Sequence, residues 1–227
     1  MTEEERKTIT QAVQTAKKRI AEAAIASGRK PEDITLVAAT KMNDAERVRA
    51  AIEAGVDVCG ENRVQELLEK YEQHAYDGKP LHFIGTLQTN KVKYLIGKVS
   101  MIESVSSVKL AKVIDKEAAK AGICQDILLE LNIGREESKL GIDPDEIDSV
   151  IEQVAQLEHV HVRGLMAIPP KTQPNQEKTL YFDRMSQLFI DISAKKYDNI
   201  TMDCLSMGMS ADYCEAISCG ATIVRLG

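Results

Sequence analysis

ITLVAATKMNDAERV, residues 34–48, sets the end of one element against the start of the next. Ile34 to Thr40 is an unbroken run of apolar and small residues of strand length, so it reads as a strand buried on both faces. Asn43 and Glu46 stand at capping-box spacing, which predicts a helix from about residue 44. Between the two lies Lys41. A buried strand that ends in a lysine and passes at once into a helix is the first half of a parallel βα unit, with an amine at the strand's carboxyl end.

The same alternation continues along the chain. Strands are expected at 34–40, 56–61, 81–85, 99–105, 126–133, 160–168, 201–206 and 221–226, and helices at 44–54, 62–74, 88–96, 107–121, 144–157, 175–195 and 210–219. Asn62 with Gln65 repeats the capping-box spacing. Loops are expected at 134–141 and 169–174. An extra helix over 2–27, with Ile9, Ala12, Val13, Ala16, Ile20, Ala23 and Ala24 at helical spacing, precedes the first strand and stops at Gly28, with Pro31 following. Eight strands separated by helices predict a parallel sheet closed into an α/β (β/α)8 TIM barrel, a single domain over 1–227. An open doubly wound sheet is the alternative, but no glycine-rich fingerprint follows the first strand.

Composition narrows the function. The 227 residues carry 29 basic and 35 acidic side chains, a net charge of −6. With no basic stripe, nucleic acid is not the expected partner. Cys59, Cys124, Cys204, Cys214 and Cys219 are odd in number and form no CxxC pair, so they read as reduced thiols. The charged start MTEEERKTIT has no signal core, and no apolar run approaches bilayer length. A cytoplasmic protein without membrane contact is expected.

In a barrel the chemistry gathers at the carboxyl ends of the strands. Lys41 shares parity with Val37 and Ala39, and small Ala39 beneath it leaves room. Partial desolvation lowers a lysine pKa and frees the amine to attack an aldehyde; the alternative is a strand-end lysine reaching out to water. In LSMGMSADYCEAISCG, 205–220, Ser206 and the N–H groups of Met207, Gly208, Met209, Ser210 and Ala211 would face an anion, with Ser210 capping the next helix and Asp212 turned away. An ordinary capped loop is the alternative. Arg225 shares parity with Ala221 and Ile223, which puts its guanidinium at the mouth if that face is interior, or against a surface carboxylate if it is not. Gly227 lets backbone approach a ligand closely. His82 reads as a core or mouth residue. His159 and His161 share a strand face but have no third candidate ligand, so no metal site is expected. Met101, Met166, Met202, Met207 and Met209 read as packing.

Six stretches resemble one family throughout: LVAATK at 36–41, GENRVQE at 60–66, HFIGTLQTNK at 82–91, ELNIGREESKLG at 130–141, GLMAIP at 164–169 and LSMGMSADYCEAISCGATIVRLG at 205–227. The chain closely resembles the pyridoxal phosphate homeostasis proteins, also called the proline synthase co-transcribed family. The resemblance implies a single barrel similar to that of alanine racemase, among the fold-type III pyridoxal phosphate proteins. It implies that Lys41 is the Schiff-base lysine, that Ser206 to Ser210 and Gly227 hold the phosphate, that Arg225 faces the pyridine nitrogen, and that Asn62, His82 and Met166 line the pocket. A guanidinium disfavours protonation of the ring nitrogen and so weakens the electron sink. Alanine racemase adds a tyrosine base from a second domain, for which this chain has no residues. Of its tyrosines only Tyr94 and Tyr213 come near the predicted mouth. The family also continues past the position of Gly227 through a phosphate-contacting turn and a final helix; either the sequence is cut short here or the protein is, and a protein that ended at Gly227 would leave one barrel face uncovered and bind phosphate more weakly. The implied function is a monomeric pyridoxal phosphate carrier in vitamin B6 and amino-acid homeostasis, serving apoenzymes that need the cofactor, without strong catalysis. A pyridoxal-phosphate racemase or decarboxylase of small amino acids, and a cofactor-free Schiff-base aldolase, are the alternatives.

Overall fold

A computed structural model describes residues 1–170 and 179–227. Eight strands appear: β1 (Thr35–Ala39), β2 (Val58–Glu61), β3 (Leu81–Phe83), β4 (Met101–Val105), β5 (Gln125–Leu131), β6 (Val160–Ala167), β7 (Ile200–Ser206) and β8 (Ile223–Leu226). Each pairs in parallel with the next, and β8 pairs with β1, so the sheet closes. The open-sheet alternative is thereby set aside. At the closure Thr35 lies opposite Ile223, Val37 opposite Arg225 and Ala38 opposite Leu226.

Alternation of side chains divides the core in two. Val37, Val58, Met101, Leu128, Met166 and Ile223 fill the ring of strands. Their neighbours Leu36, Cys59, Ile102, Leu129, Leu165 and Val224 point outward into a larger core beneath the helices. Those helices are α1 (Glu3–Ala26), α2 (Ala45–Glu53), α3 (Val64–Glu72), α4 (Val108–Ala121), α5 (Ile147–Val154), α6 (Leu180–Ser193) and α7 (Tyr213–Ser218). Thr2 and Glu5 form a capping box that starts α1, and Gly28 follows its end at φ +72°. Arg29 then reaches the carbonyls of Ile217 and Ala221, at 3.2 and 2.7 Å, which ties the α1–β1 connection to the far side of the closure. A cavity of about 550 Å³ separates α1 and α2 from the outer faces of β1 and β8, with Ala16, Leu36, Ala38, Val48 and Leu226 among its walls. Among the described residues no helix is long and apolar enough to cross a membrane.

Several expected boundaries move. The helix expected over 88–96 is a 3-10 turn, Thr89–Tyr94, and the one over 144–157 begins as a 3-10 turn, Pro144–Glu146. Residues 175–178 of the helix expected over 175–195, and 171–174 of the loop expected over 169–174, lie outside the described residues. Neither predicted capping box forms. Asn43 turns its amide back onto the Lys41 carbonyl at 3.2 Å, and the neighbouring Asp44 accepts the Arg47 N–H at 2.9 Å instead. With Asn43 turned back onto Lys41, Asp44 takes the cap. At α3 the cap position is Arg63, without a side-chain hydrogen bond, and Asn62 remains in the tail of the strand.

Gly164 has φ +150° where the β5–β6 and β6–β7 registers both shift, and a Cβ there would sit 1.8 Å from the Cys204 carbonyl oxygen. Only a residue without a side chain lets the two strands approach so closely. A Gly164→Ala substitution is expected to lower the unfolding free energy by about 2 kcal/mol or more, read as a lower midpoint in urea denaturation.

Candidate functional site

The carboxyl end of the barrel carries two tiers of polar residues. The lower tier lies inside the ring of strands. Glu103 on β4 is fully buried; its Oε1 meets Nδ1 of His82 on β3 at 2.6 Å, and its Oε2 accepts the Ser206 hydroxyl from β7 at 2.6 Å. Arg225 on β8 donates Nη1 to the Ser206 oxygen and Nη2 to the Ala167 carbonyl at 2.9 Å, and stands 3.8 Å from Glu103. Burial pushes the Glu103 carboxyl up, but His82, Arg225 and Ser206 together hold it below the usual carboxylate range. Burial also draws the Arg225 guanidinium down, opposed by Glu103, Glu130 and Asp212. Glu130 on β5 shares the parity of Leu128; burial lifts its carboxyl to about 7 against the pull of Arg225.

The upper tier forms the rim. β1 stops at Ala39, Thr40 is buried, and Lys41 is exposed in the turn that follows. The expected desolvation of this lysine is therefore corrected: strand parity fixes the direction of a side chain, but the turn has already lifted residue 41 clear of the packed ring. Gly227 closes against the same strand, because a Cβ on it would meet both the Cβ and the carbonyl oxygen of Ala39 at 3.1 Å. The Ser210 hydroxyl donates to the Gly227 carbonyl at 3.2 Å and accepts its N–H at 3.4 Å. Asn62 sits at the next strand end with its Oδ1 buried and without a partner among the described residues. Gly85 makes room for it, since a Cβ at that position would stand 2.2 Å from the Asn62 carbonyl oxygen.

The loop after β7 differs from its sequence reading in most of its atoms. Ser206 is drawn into the barrel by Glu103 and Arg225, so its hydroxyl is spent. Met207 gives its N–H to the Ile223 carbonyl at 3.2 Å and packs its side chain in the outer core. Met209 gives its N–H to Asp212 at 2.7 Å, so Asp212 folds toward the loop and not away. Ser210 reaches Gly227 and leaves the cap position of α7 to Asp212. Gly208 is required at φ +93°, where a Cβ would stand 2.6 Å from that of Ala216, and its carbonyl accepts the Arg225 N–H at 3.0 Å. Among the described residues no hydrogen bond uses the N–H of Gly208, Ser210 or Ala211. These three N–H groups are the unspent donors of the loop, while Gly227 and the Ser210 hydroxyl are bonded to each other.

His82 and Met166 belong to the barrel interior, and the surface reading of Arg225 is set aside by its burial. Tyr213 is buried under Arg19, whose guanidinium lies 5.1 Å from the ring centre. His161 bonds Asp126 at 3.1 Å and Thr201 at 2.9 Å, and among the described residues no cluster has the makings of a metal centre. The sequence reading missed Glu103 and Glu130. Their signal was present as a lone carboxylate inside each of two largely apolar stretches, MIESV and ILLEL, because a buried charge must be paired or give way to its neutral form. It also missed Glu61, Glu66 and Lys70, a buried ion-pair cluster beneath the Lys41 turn.

Comparison with known proteins agrees with this geometry. The profile of the alanine racemase N-terminal domain family matches residues 6–227. The pyridoxal phosphate homeostasis protein of Aquifex aeolicus is 43% identical over 209 residues, 92% of this chain and 91% of the relative. The structure of PipY from Synechococcus elongatus with pyridoxal phosphate bound is 31% identical, with a TM-score of 0.79 over 92% of this chain and 97% of that one. An alanine racemase of Clostridium difficile, 16% identical with a TM-score of 0.68, covers 86% of this chain and 51% of its own, a likeness of fold.

The sign of the Glu130 effect follows from its raised carboxyl. A group that binds its proton more tightly when folded contributes stability that is complete below about 4.5 and lost as the pH rises through about 7. Glu130→Gln removes the titration while keeping the shape. Between pH 5 and 8 the wild type is expected to lose roughly 2–3 kcal/mol relative to that variant, measured as diverging unfolding midpoints.

Proposed function

The chain belongs to the pyridoxal phosphate homeostasis proteins, within the alanine racemase N-terminal domain family, and from that premise we propose that it holds pyridoxal 5′-phosphate reversibly at the barrel mouth as a Schiff base on Lys41. The whole chain acts as one binding unit in this reading. The observation that carries it is the convergence at one rim of an exposed amine and a set of unspent N–H donors. Ser210 is bonded to Gly227, and Gly227 lies against Ala39, two positions before Lys41.

The residues divide the work by chemistry. Lys41 would supply the amine for a Schiff base to the aldehyde that pyridoxal phosphate brings. The N–H groups of Gly208, Ser210 and Ala211 would donate to the phosphate, and Gly227 and the Ser210 hydroxyl would join them by giving up the bonds they make to each other. Ser206, Met207 and Met209 hold the loop in shape from beneath, since their own donors are occupied. Arg225, fixed by the Ala167 carbonyl and Ser206, would face the pyridine nitrogen and disfavour its protonation. Asn62, with its partnerless oxygen, and more deeply His82 and Met166, form the remaining wall. Bound pyridoxal phosphate supplies a reactive aldehyde and an electron sink.

The same geometry favours a carrier over an enzyme. Exposure of Lys41 gives water access to the linkage, so attachment is reversible, while a racemase or decarboxylase must shield its carbanion from solvent. Among the described residues no second base is assigned beside Lys41. In this reading the protein is a cytoplasmic monomer that passes the cofactor to apoenzymes requiring it, in keeping with the homeostasis role for which its relatives are named.

Purified protein mixed with pyridoxal phosphate is expected to develop a Schiff-base absorption band, and borohydride reduction followed by peptide mapping is expected to fix the label on Lys41. Lys41→Ala should show neither. A wild type with no band points instead to a cofactor-free aldolase. In deuterated water, L-amino acids should exchange their α-protons only slowly; rapid stereospecific exchange with turnover would establish an enzyme.

A further inference from the structure

Met42, directly after Lys41, is a non-glycine residue at φ +61° with 86% of its surface exposed. Left-handed backbone is unfavourable for such a residue by roughly 1–2 kcal/mol, and it persists only where the surroundings enforce it. Packing of the Met42 side chain is not the enforcer, because that side chain is in water. The backbone is gripped instead, on both sides of Lys41. Nζ of Lys70 donates to the Thr40 carbonyl at 2.7 Å, and the Met42 N–H donates to Oε1 of Glu66.

Both gripping residues come from α3, where they stand four positions apart and share a face. Lys70 is only 5% exposed. Its ammonium lies 2.6 Å from Glu61 Oε1 and 2.7 Å from Glu66 Oε1. Glu61 Oε1 also accepts the Thr40 hydroxyl at 2.6 Å and the Tyr76 hydroxyl at 3.0 Å. Burial pushes the Glu66 carboxyl up, but the hydrogen bonds from Lys70 and the Met42 N–H outweigh it and leave it below its ordinary value. A buried ion pair of this kind is poor value as a source of stability, because desolvation cancels most of the attraction. Its arrangement makes sense as geometry: Glu61 Oε2 is buried without a partner among the described residues, and the hydrogen bonds that leave the cluster go to Thr40 and Met42, except the link to Tyr76.

We infer that Glu66 and Lys70, seated on Glu61, are positioning residues that fix the turn from which the Lys41 amine projects, and so set how much of the bound pyridoxal phosphate is joined covalently. This rests on the reading of Lys41 given above. The cluster also separates the two lysines chemically. Lys70 has its three ammonium donors directed at Thr40, Glu61 and Glu66, which leaves Lys41 as the amine of this region open to an aldehyde.

Glu66→Ala and Glu66→Gln in the whole chain test the inference, with amide hydrogen exchange, thermal unfolding, and borohydride trapping at saturating pyridoxal phosphate as readouts. Glu66→Ala frees the Met42 N–H while leaving the Glu61–Lys70 pair. Exchange at Met42 in the cofactor-free protein is expected to quicken about ten-fold or more, the trapped fraction to fall, and the affinity for pyridoxal phosphate to drop about ten-fold, with little change in Tm. Glu66→Gln, whose carbonyl still accepts the Met42 N–H, should recover most of the trapping. Trapping and affinity equal to wild type in Glu66→Ala overturn the inference, as does a loss that only tracks Tm and is no smaller in Glu66→Gln. A wild type that traps no cofactor on Lys41 brings down the functional reading and this one together; a wild type that does trap it, with Glu66→Ala unchanged, brings down this one alone.

Discussion

Closure of β8 onto β1 is the contact on which the mouth of this barrel depends. The register that sets Val37 opposite Arg225 and Ala38 opposite Leu226 brings Gly227 against Ala39, just below the turn that bears Lys41. A slip of one residue would turn every side chain of β8 to the other face. Arg225 would then lie under the helices in place of the barrel interior, and Leu226 would lose its place in the outer core. The closure is itself supported from outside: Arg29, between α1 and β1, bonds the carbonyls of Ile217 and Ala221 just before β8. The connections that lead into β1 and β8 are thus bound at the opposite end of the barrel from the candidate site, and the rim inherits their register.

Once Arg225 is inside, its charge dictates the rest of the interior. A guanidinium in the centre of a barrel is tolerable only with an anion and a full set of acceptors. Glu103, Ser206 and the Ala167 carbonyl supply them, and His82 completes the coordination of Glu103. The network ties together β3, β4, β6, β7 and β8 across the lumen. Its cost is that Ser206 is no longer available to an outside ligand, and that Glu130, left with only part of the attraction of Arg225, holds its proton to about 7. The lower tier is therefore largely self-satisfied, and the rim above it is where unspent donors collect.

The barrel was legible because its signal is local. Each strand is a short apolar run bounded by a helix start, and all eight were found within a few residues of their true ends. Cap positions were less legible: Asn43 and Asp44 are both good capping residues, and the choice between them depends on the turn geometry at Met42, which propensity does not carry. The fate of Ser206 was out of reach, because the partner that draws it inward lies 103 positions earlier in the chain. Parity left Arg225 open between the interior and a surface carboxylate, and it overstated the burial of Lys41. Alternation holds only while the strand lasts, and β1 ends two residues short of the lysine.

Water access decides what such a rim can do. An amine sealed in a dry pocket meets strong, long-range electrostatics, and a linkage formed there is protected from hydrolysis. An amine on an open turn has neither feature. In the proposed function, preorganised charge beneath it, Arg225 with Glu103, would orient a ring and tune its nitrogen, but the step that needs a dry site, sustained carbanion formation, would not be favoured. What an open rim does well is exchange, since the same water that releases the cofactor also lets it re-enter. On the proposed reading, the rigid elements of the site have a different purpose from those of an enzyme. The strained turn at Met42 and the tight approach of Gly227 to Ala39 do not stabilise a transition state; they keep the amine and the anion donors at a fixed spacing, so that a two-point grip forms and opens as a unit. Two weak attachments held at the right distance give useful affinity through effective concentration, and each remains individually reversible.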